Sequence, residues 1–246
     1  EFGEDWTVIS LPAIAEFNDP IGRMQGEALW PERYNVDALE SIKRTIGGYY
    51  WSALYQQRPQ PEGGSLFRRS WFRYFRQADG YYLLNDAGQD YRVEINKCWR
   101  FQTVDTAGSS KATSDCTVIS TWAVTPDNDL LLLCVQSERL DTTNQTQAMV
   151  NAFKRWGPAF QAIENVTFGM ALLQDCKAQG LPVVPLKADR DKVTRARVIA
   201  ARYEIAAVFH PLGVEWLDDY ESQLLSFPTG KHDDMVDTAA YAGICI

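Results

Sequence analysis

The order of strand-like and helix-like runs over residues 99–246 constrains the fold more than any other feature of the chain. WRFQTVDTA reads as a strand ending in Asp105, CTVISTWAVT (116–125) as a second and DLLLLCVQSERL (129–140) as a third, with PDND as the connecting turn. Three consecutive strands joined by short turns make an antiparallel meander. A helix is expected over 142–156, with Thr142 or Thr143 as its cap. FQAIENV (160–166) is a fourth strand ending in Glu164, and a helix over 168–179 is stopped by Gly180. LPVVPLK is a fifth strand, followed by a basic helix over 191–204; AVFHP, a helix over 214–226 and an acidic helix from 233 complete the pattern. Strands alternating with helices pair in parallel. The expected fold is therefore α/β, with a mixed central sheet of antiparallel meander plus parallel strands, flanked by helices.

The first hundred residues read irregularly, apart from a helical stretch in DALESIKRTIGGYYWSALYQQ. QPEGGS at 60–65 is rich in Pro and Gly and marks a turn or linker. The expected division is 1–65 and 66–246. In LFRRSWFRYF, aromatics interleave with arginines and can stack on bases; the reading preferred here is that they pack a linker onto a neighbouring domain.

With 246 residues, 46% of them apolar, the chain is long enough to bury a proper core. No apolar run approaches the roughly 18–20 residues of a membrane span, and no cleavable secretory segment opens the sequence, so a cytoplasmic protein without a membrane partner is expected. The five cysteines include no C-x-x-C pair and there are only two histidines. That composition disfavours zinc and suits cysteines that serve as small buried hydrophobes. A net charge of −8 argues against a general nucleic-acid coat protein. Local basic runs exist all the same. Residues 185–202 hold six basic side chains (Lys187, Arg190, Lys192, Arg195, Arg197, Arg202) against two acidic ones, and residues 58–76 hold five against one. Such runs are either solvated faces or phosphate-binding surfaces.

The acidic run GKHDDMVDTAA (230–240) places Asp233, Asp234 and Asp237 beside His232 at a helix start. One or two carboxylates satisfy a helix N-terminus; three exceed what capping requires. Asp234 and Asp237 are three apart and share a helix face. Asp105 and Glu164 close strands, and in open sheets functional groups gather outside the carboxyl ends of strands. Carboxylates with little histidine suit hard ions such as Mg²⁺ or Mn²⁺, and two such ions can drive phosphodiester hydrolysis. A lone Asp at a strand end is ordinarily a turn residue, whereas Glu164 within an apolar strand is costly to bury without a partner.

Three look-alikes fail. VDTAGSS (104–110) matches an aspartic-protease loop, but no second copy is present to share the proton. DTAG also occurs in GTPases, whose phosphate loop is missing from this sequence. DDMVD matches the aspartate-rich motif of isoprenoid synthases, which are all-helical.

The runs GEALWPERYNVDALESI, ALYQQRPQPEGGSLFRRSWFRYF, TVDTAGSSKATSDCTVISTWAV, AIENVTFG, LKADRDKVTRARV and FPTGKHDDMVD together resemble the C-terminal nuclease part of tailed-phage terminase large subunits. The resemblance implies a ribonuclease H-like fold that cuts double-stranded DNA concatemers with two Mg²⁺ or Mn²⁺ ions during genome packaging, with low sequence specificity. It implies Asp105 as the central metal-bridging ligand, Glu164 as the second acid and Asp234 as the third, with Asp237 or Asp233 as further metal ligands. Asp115 either helps at the second metal or caps the hairpin. His232 either assists proton transfer or makes a structural hydrogen bond. Lys187, Arg190, Lys192, Arg195 and Arg197 would lie on the DNA side. Residues 1–65 resemble the end of the family's ATPase motor and its linker, and no Walker-type loop is present. Further implied are the terminase small subunit and capsid portal as partners of the full-length protein, and the bacterial host cytoplasm, at the procapsid, as its place. A junction resolvase or transposase of the same fold, or a non-catalytic DNA- or portal-docking module, remain as alternatives.

Overall fold

The computed structural model describes residues 9–16, 19–57, 65–86, 88–106, 116–164, 167–187, 190–230 and 232–246. Two compact units divide the chain, Glu1–Gly64 and Ser65–Ile246. In the first, helix α1 (Val36–Tyr50) begins after Asn35, whose Oδ1 accepts the Ala38 N–H at 2.9 Å and so caps it. The helix is broken at Gly47 and continues as a π-helical turn, Trp51–Tyr55. Leu39 and Trp51 are buried there with Ala28.

Among the described residues, the second unit is built on nine strands. β1 (Arg73–Ala78), β2 (Tyr81–Asp86) and β3 (Gln89–Glu94) are followed by β4 (Trp99–Asp105), β5 (Thr117–Val124) and β6 (Leu130–Glu138), then β7 (Gln161–Glu164), β8 (Val183–Leu186) and β9 (Val208–Pro211). They form one sheet in the order β3-β2-β1-β9-β6-β5-β4-β7-β8. β4, β5 and β6 pair antiparallel as the expected meander, while β7 runs parallel to β4, β8 to β7, and β9 to both β6 and β1. β5 is buried at all eight positions, as a central strand covered on both faces must be.

The expectation for LFRRSWFRYF is corrected. Phe67 and Phe72 are core residues of this unit, packed edge-on against Tyr203, and Arg73 begins β1. The β1–β3 extension escaped the sequence reading because its strands bury few side chains: Phe75 on β1, Tyr82 and Leu84 on β2, Val93 on β3. One signal for it was present. Asp79-Gly80 both have positive φ (49° and 81°), the requirement of a type I′ hairpin turn, where Asp-Gly is strongly preferred.

Helices cover both faces. On one side α2 (Thr142–Trp156) and α3 (Thr167–Ala178) enclose Val104, Ile119, Met149, Ile163 and Leu172. The opposite core, around Phe101, Trp122, Tyr203, Tyr220 and Val236, lies under α4 (Lys192–Glu204), α5 (Leu217–Ser226) and α6 (Asp234–Cys245). Asp141, rather than Thr142 or Thr143, caps α2: its carboxylate accepts the Asn144 N–H at 2.9 Å. One residue earlier puts the acceptor within reach of the third helical N–H.

Candidate active site

Strand alternation decides which carboxylates meet. On β4, Val104 faces α2 and α3, whereas Phe101 and Thr103 face α6; Thr103 Oγ1 donates to the Thr238 carbonyl at 2.9 Å. Asp105 shares the parity of Thr103 and therefore the α6 face. On β7, Ile163 faces the α2–α3 side and Ala162 packs with Tyr241 of α6, so Glu164 also belongs to the α6 face. The parallel register pairs Thr103 with Ala162 and Val104 with Ile163. One step further, Asp105 and Glu164 stand side by side at the C-terminal ends of adjacent strands, about 5 Å apart in backbone.

Helix α6 brings the remaining acids. It is pinned across β4 and β5 by a buried polar chain: Ser120 Oγ and Thr238 Oγ1 are 2.7 Å apart, and Trp122 Nε1 donates to Thr103 Oγ1 at 3.0 Å. This fixes the first turn, with Asp234 and Asp237, over the two strand ends. The Asp105 carboxyl is held well above the usual carboxylate range, first by burial and then by Asp237, Asp234 and Glu164. Close approach also fixes Glu164: a Cβ at Gly169, on α3, would overlap the Glu164 carbonyl oxygen.

Two cations of α4, three residues apart and so on one face, answer part of this charge. Lys192 Nζ lies 2.9 and 3.0 Å from the Asp233 carboxylate oxygens and 2.8 Å from Asp237 Oδ2. Arg195 places Nη1 2.9 Å from Glu164 Oε1 and Nη2 3.1 Å from Asp237 Oδ1, with its Cζ 5.5 Å from the Tyr241 ring centroid. Burial raises the Asp237 carboxyl, and Lys192 and Arg195 pull it back only in part. Burial alone would lower the Lys192 ammonium, yet its hydrogen bonds and charge contacts with Asp237 and Asp233 raise it overall. Tyr241 is pushed up by burial and by Asp105, Asp237 and Glu164.

Of the residues expected from sequence, Asp105, Glu164, Asp233, Asp234 and Asp237 come together. Asp115 lies outside the described residues, and His232 is exposed just ahead of α6. Lys187 and Arg190 are exposed, Arg197 is half-buried and Lys192 is half-exposed within its ion pairs. Arg195 differs from its neighbours in this run: it is 7% exposed, with its guanidinium held between two carboxylates. The i, i+3 spacing that grouped Asp234 with Asp237 applies equally to Lys192 and Arg195, and Asp237 to Tyr241 is one further helical step. These were the missed signals.

Five acids against two bases leave an excess of negative charge, and the donors are all oxygens. That chemistry fits a hard divalent cation. Among the described residues, no three His, Cys, Asp or Glu side chains converge on a single point as arranged; the acids close on Lys192 and Arg195 instead.

A family model described as the terminase RNaseH-like domain matches residues 102–244, more than half of the chain and the whole of this cluster. Among solved structures, the large terminase nuclease from thermophilic phage G20c with bound cobalt aligns with a TM-score of 0.55, covering 75% of this chain and 98% of that one at 16% identity. The Thermus phage P74-26 large terminase nuclease domain gives 0.52, covering 73% and 94% at 14% identity. A large terminase from a further thermophilic bacteriophage, in complex with ADP, gives 0.60, covering 85% of this chain and 52% of that one at 10% identity. The chain thus spans about half the length of that ADP-bound protein. At such identities the likeness is one of fold. No curated protein matches by sequence. With the family match running from the second half of β4 to α6 and the same fold in phage nucleases, the chain belongs to the terminase RNaseH-like domain family.

Proposed function

We propose that the chain is the nuclease part of a phage large terminase, a divalent-metal-dependent endonuclease that cuts double-stranded DNA concatemers with little sequence preference during packaging. The observation that carries this reading is the gathering of Glu164, Asp234 and Asp237 around Asp105 at one end of the sheet, where burial first and these neighbours after it lift the Asp105 carboxyl. Such crowding is costly unless positive charge enters. Asp105, Glu164 and Asp234 would hold Mg²⁺ or Mn²⁺, two ions in all. Bound there, the ions would supply polarisation of a water and offset charge on the phosphate, chemistry that would leave 5′-phosphate and 3′-hydroxyl ends. The G20c nuclease structures, solved with bound cobalt and with bound magnesium, support a divalent ion on this fold.

The chain's own residues supply position and charge. Asp105 and Glu164 close two adjacent, hydrogen-bonded parallel strands, β4 and β7, so the sheet sets the spacing of their backbones. Lys187 follows the C-terminal end of β8, the same end of the sheet as Glu164, and Arg190 lies between β8 and α4; both are exposed. Their charges suit the phosphate backbone and would make binding salt-dependent. We read residues 1–65 as the end of the ATPase motor and its linker, a reading supported by the greater length of the ADP-bound terminase. The small subunit and portal are proposed partners of the full-length protein, working at the procapsid in the host cytoplasm.

Supercoiled plasmid incubated with Mg²⁺ or Mn²⁺ tests the proposal. The parent chain should nick and linearise it, EDTA should stop the reaction, and Asp105→Ala should be inactive. An Asp105→Ala protein that nicks as fast as the parent sinks the assignment.

A further inference from the structure

We propose that Asp237 is not a metal ligand but the anchor of a positioning pair, Arg195 and Lys192, through which Arg195 fixes the orientation of Glu164. The inference rests on the metal-dependent reading of the site and assigns roles within it.

Both Asp237 oxygens are engaged by the chain itself, Oδ1 by Arg195 at 3.1 Å and Oδ2 by Lys192 at 2.8 Å, and the residue is only 5% exposed. A carboxylate with each oxygen committed to a cation is poorly placed to take an ion as well. Arg195 bridges two elements: one nitrogen reaches Glu164 at the end of β7, and the other reaches Asp237 on the first turn of α6. A guanidinium can do this because its donors are spread in a rigid planar fork, and its position near the Tyr241 ring restrains the plane further. With its side chain 8% exposed and its two terminal nitrogens taken up by carboxylates, Arg195 offers little to a phosphate on bound DNA. What it can do is hold one Glu164 oxygen and thereby aim the other. Partners of this kind, hydrogen-bonded to a ligating carboxylate, commonly set ligand orientation. Lys192, half exposed, closes the arrangement on the solvent side by joining Asp237 to Asp233.

Three roles make different predictions, and three readouts separate them. Mn²⁺ binding is measured by calorimetry without DNA, plasmid nicking supplies kcat and KM, and Tm is taken in EDTA. The proposal expects Asp237→Asn to bind as many Mn²⁺ ions as the parent, while Asp105→Asn binds fewer. Arg195→Lys and Arg195→Met should lower kcat about 10- to 100-fold. KM for DNA should stay within about twofold, as for a group acting on chemistry rather than on binding. Loss of an ion by Asp237→Asn would make Asp237 a ligand and overturn the proposal. A raised KM at unchanged kcat in the Arg195 variants would make Arg195 a phosphate contact, and a lower Tm with full kcat would make it merely structural; either result overturns it. So would full kcat in Arg195→Lys, since a point charge would then suffice. Should Arg195→Met fail to fold, Arg195→Lys and Asp237→Asn carry the test. If Asp105→Asn binds Mn²⁺ and cleaves like the parent, the underlying metal reading has failed, whatever the other variants do.

Discussion

Two polar clusters hang from helix α4, eight residues apart or roughly 12 Å of helix, and they are built on opposite principles. Around Arg195, carboxylates outnumber cations, and burial, followed by the neighbouring Asp237, Asp234 and Glu164, raises the Asp105 carboxyl. Around Tyr203 every main polar group is paired and buried. His210 Nδ1 lies 2.8 Å from Glu221 Oε1, its Nε2 lies 2.8 Å from the Tyr203 hydroxyl, and Tyr203 lies 3.2 Å from the Tyr220 hydroxyl. Burial outweighs the Glu221 carboxylate and lowers the His210 imidazole, keeping it neutral. The hydrogens then have one consistent order: Tyr220 donates to Tyr203, Tyr203 to Nε2, and Nδ1–H to Glu221. This chain of donors and acceptors is complete, with Arg69, itself largely exposed, placing Nη1 3.4 Å from Glu221 Oε2. The surplus of like charge around Asp105 is chemically incomplete, and that incompleteness is the better pointer to function.

The largest effect should separate the clusters by what is lost. Asp105→Asn should reduce plasmid cleavage by at least about a hundredfold, the upper end of what even an outer partner of a metal site costs. Glu221→Leu should leave cleavage per folded molecule unchanged while destabilising the fold by about 1–3 kcal/mol, the cost of a buried donor left unpaired. In a chain of this size each kcal/mol lowers Tm by about 2–4 °C. Scanning calorimetry beside the nicking assay checks both; cleavage that falls with Glu221→Leu at full folding would erase the distinction.

Gly169→Ala should follow. The added methyl meets the Glu164 carbonyl, so the β7 end must shift, at about 1–3 kcal/mol for overpacking. Activity should fall more than stability explains; retention of full kcat would show that Glu164 tolerates displacement.

The clusters also predict opposite pH slopes for stability in EDTA. Asp105 has a raised folded pKa, so the folded state binds more protons than the unfolded one. Its contribution is intact below the ordinary carboxylate value near 3.9 and is lost as pH rises through the raised folded value. Asp105→Asn should therefore raise Tm at neutral pH, with the gain shrinking toward acid. His210 is depressed, so its contribution is present above the unfolded value near 6.5 and is lost as pH falls toward the folded one. Replacing His210 should flatten the acid limb, and pH-dependent thermal melts of the two variants would expose any common slope. The smallest effect belongs to the exposed cations: Lys187→Ala and Arg190→Ala should each reduce the salt slope of DNA binding by about one. An unchanged slope in fluorescence titrations would remove them from the interface.

Much of this architecture was legible because hydrophobic periodicity is strong where burial is two-sided. β4, β5 and β6 and the helices after them fall close to where patterning places them, and parity carries Asp105 and Glu164 to one face. Where strands bury few side chains the pattern fades, which is why β1–β3 read as irregular although Asp79-Gly80 marked their turn. The site was legible in its acids and illegible in its cations. A basic helix looks the same in sequence whether Arg195 meets phosphate or Glu164, because pairing between α4, β7 and α6 is set by tertiary packing. The His210 cluster left no local trace at all, since its members come from three separate elements.

Anomalous diffraction from crystals of the chain grown with Mn²⁺ tests the central claim most directly. The account predicts manganese peaks in contact with Asp105, Glu164 and Asp234, with Asp237 still paired to Arg195. Peaks only elsewhere, or none at these carboxylates at saturating Mn²⁺, would contradict it.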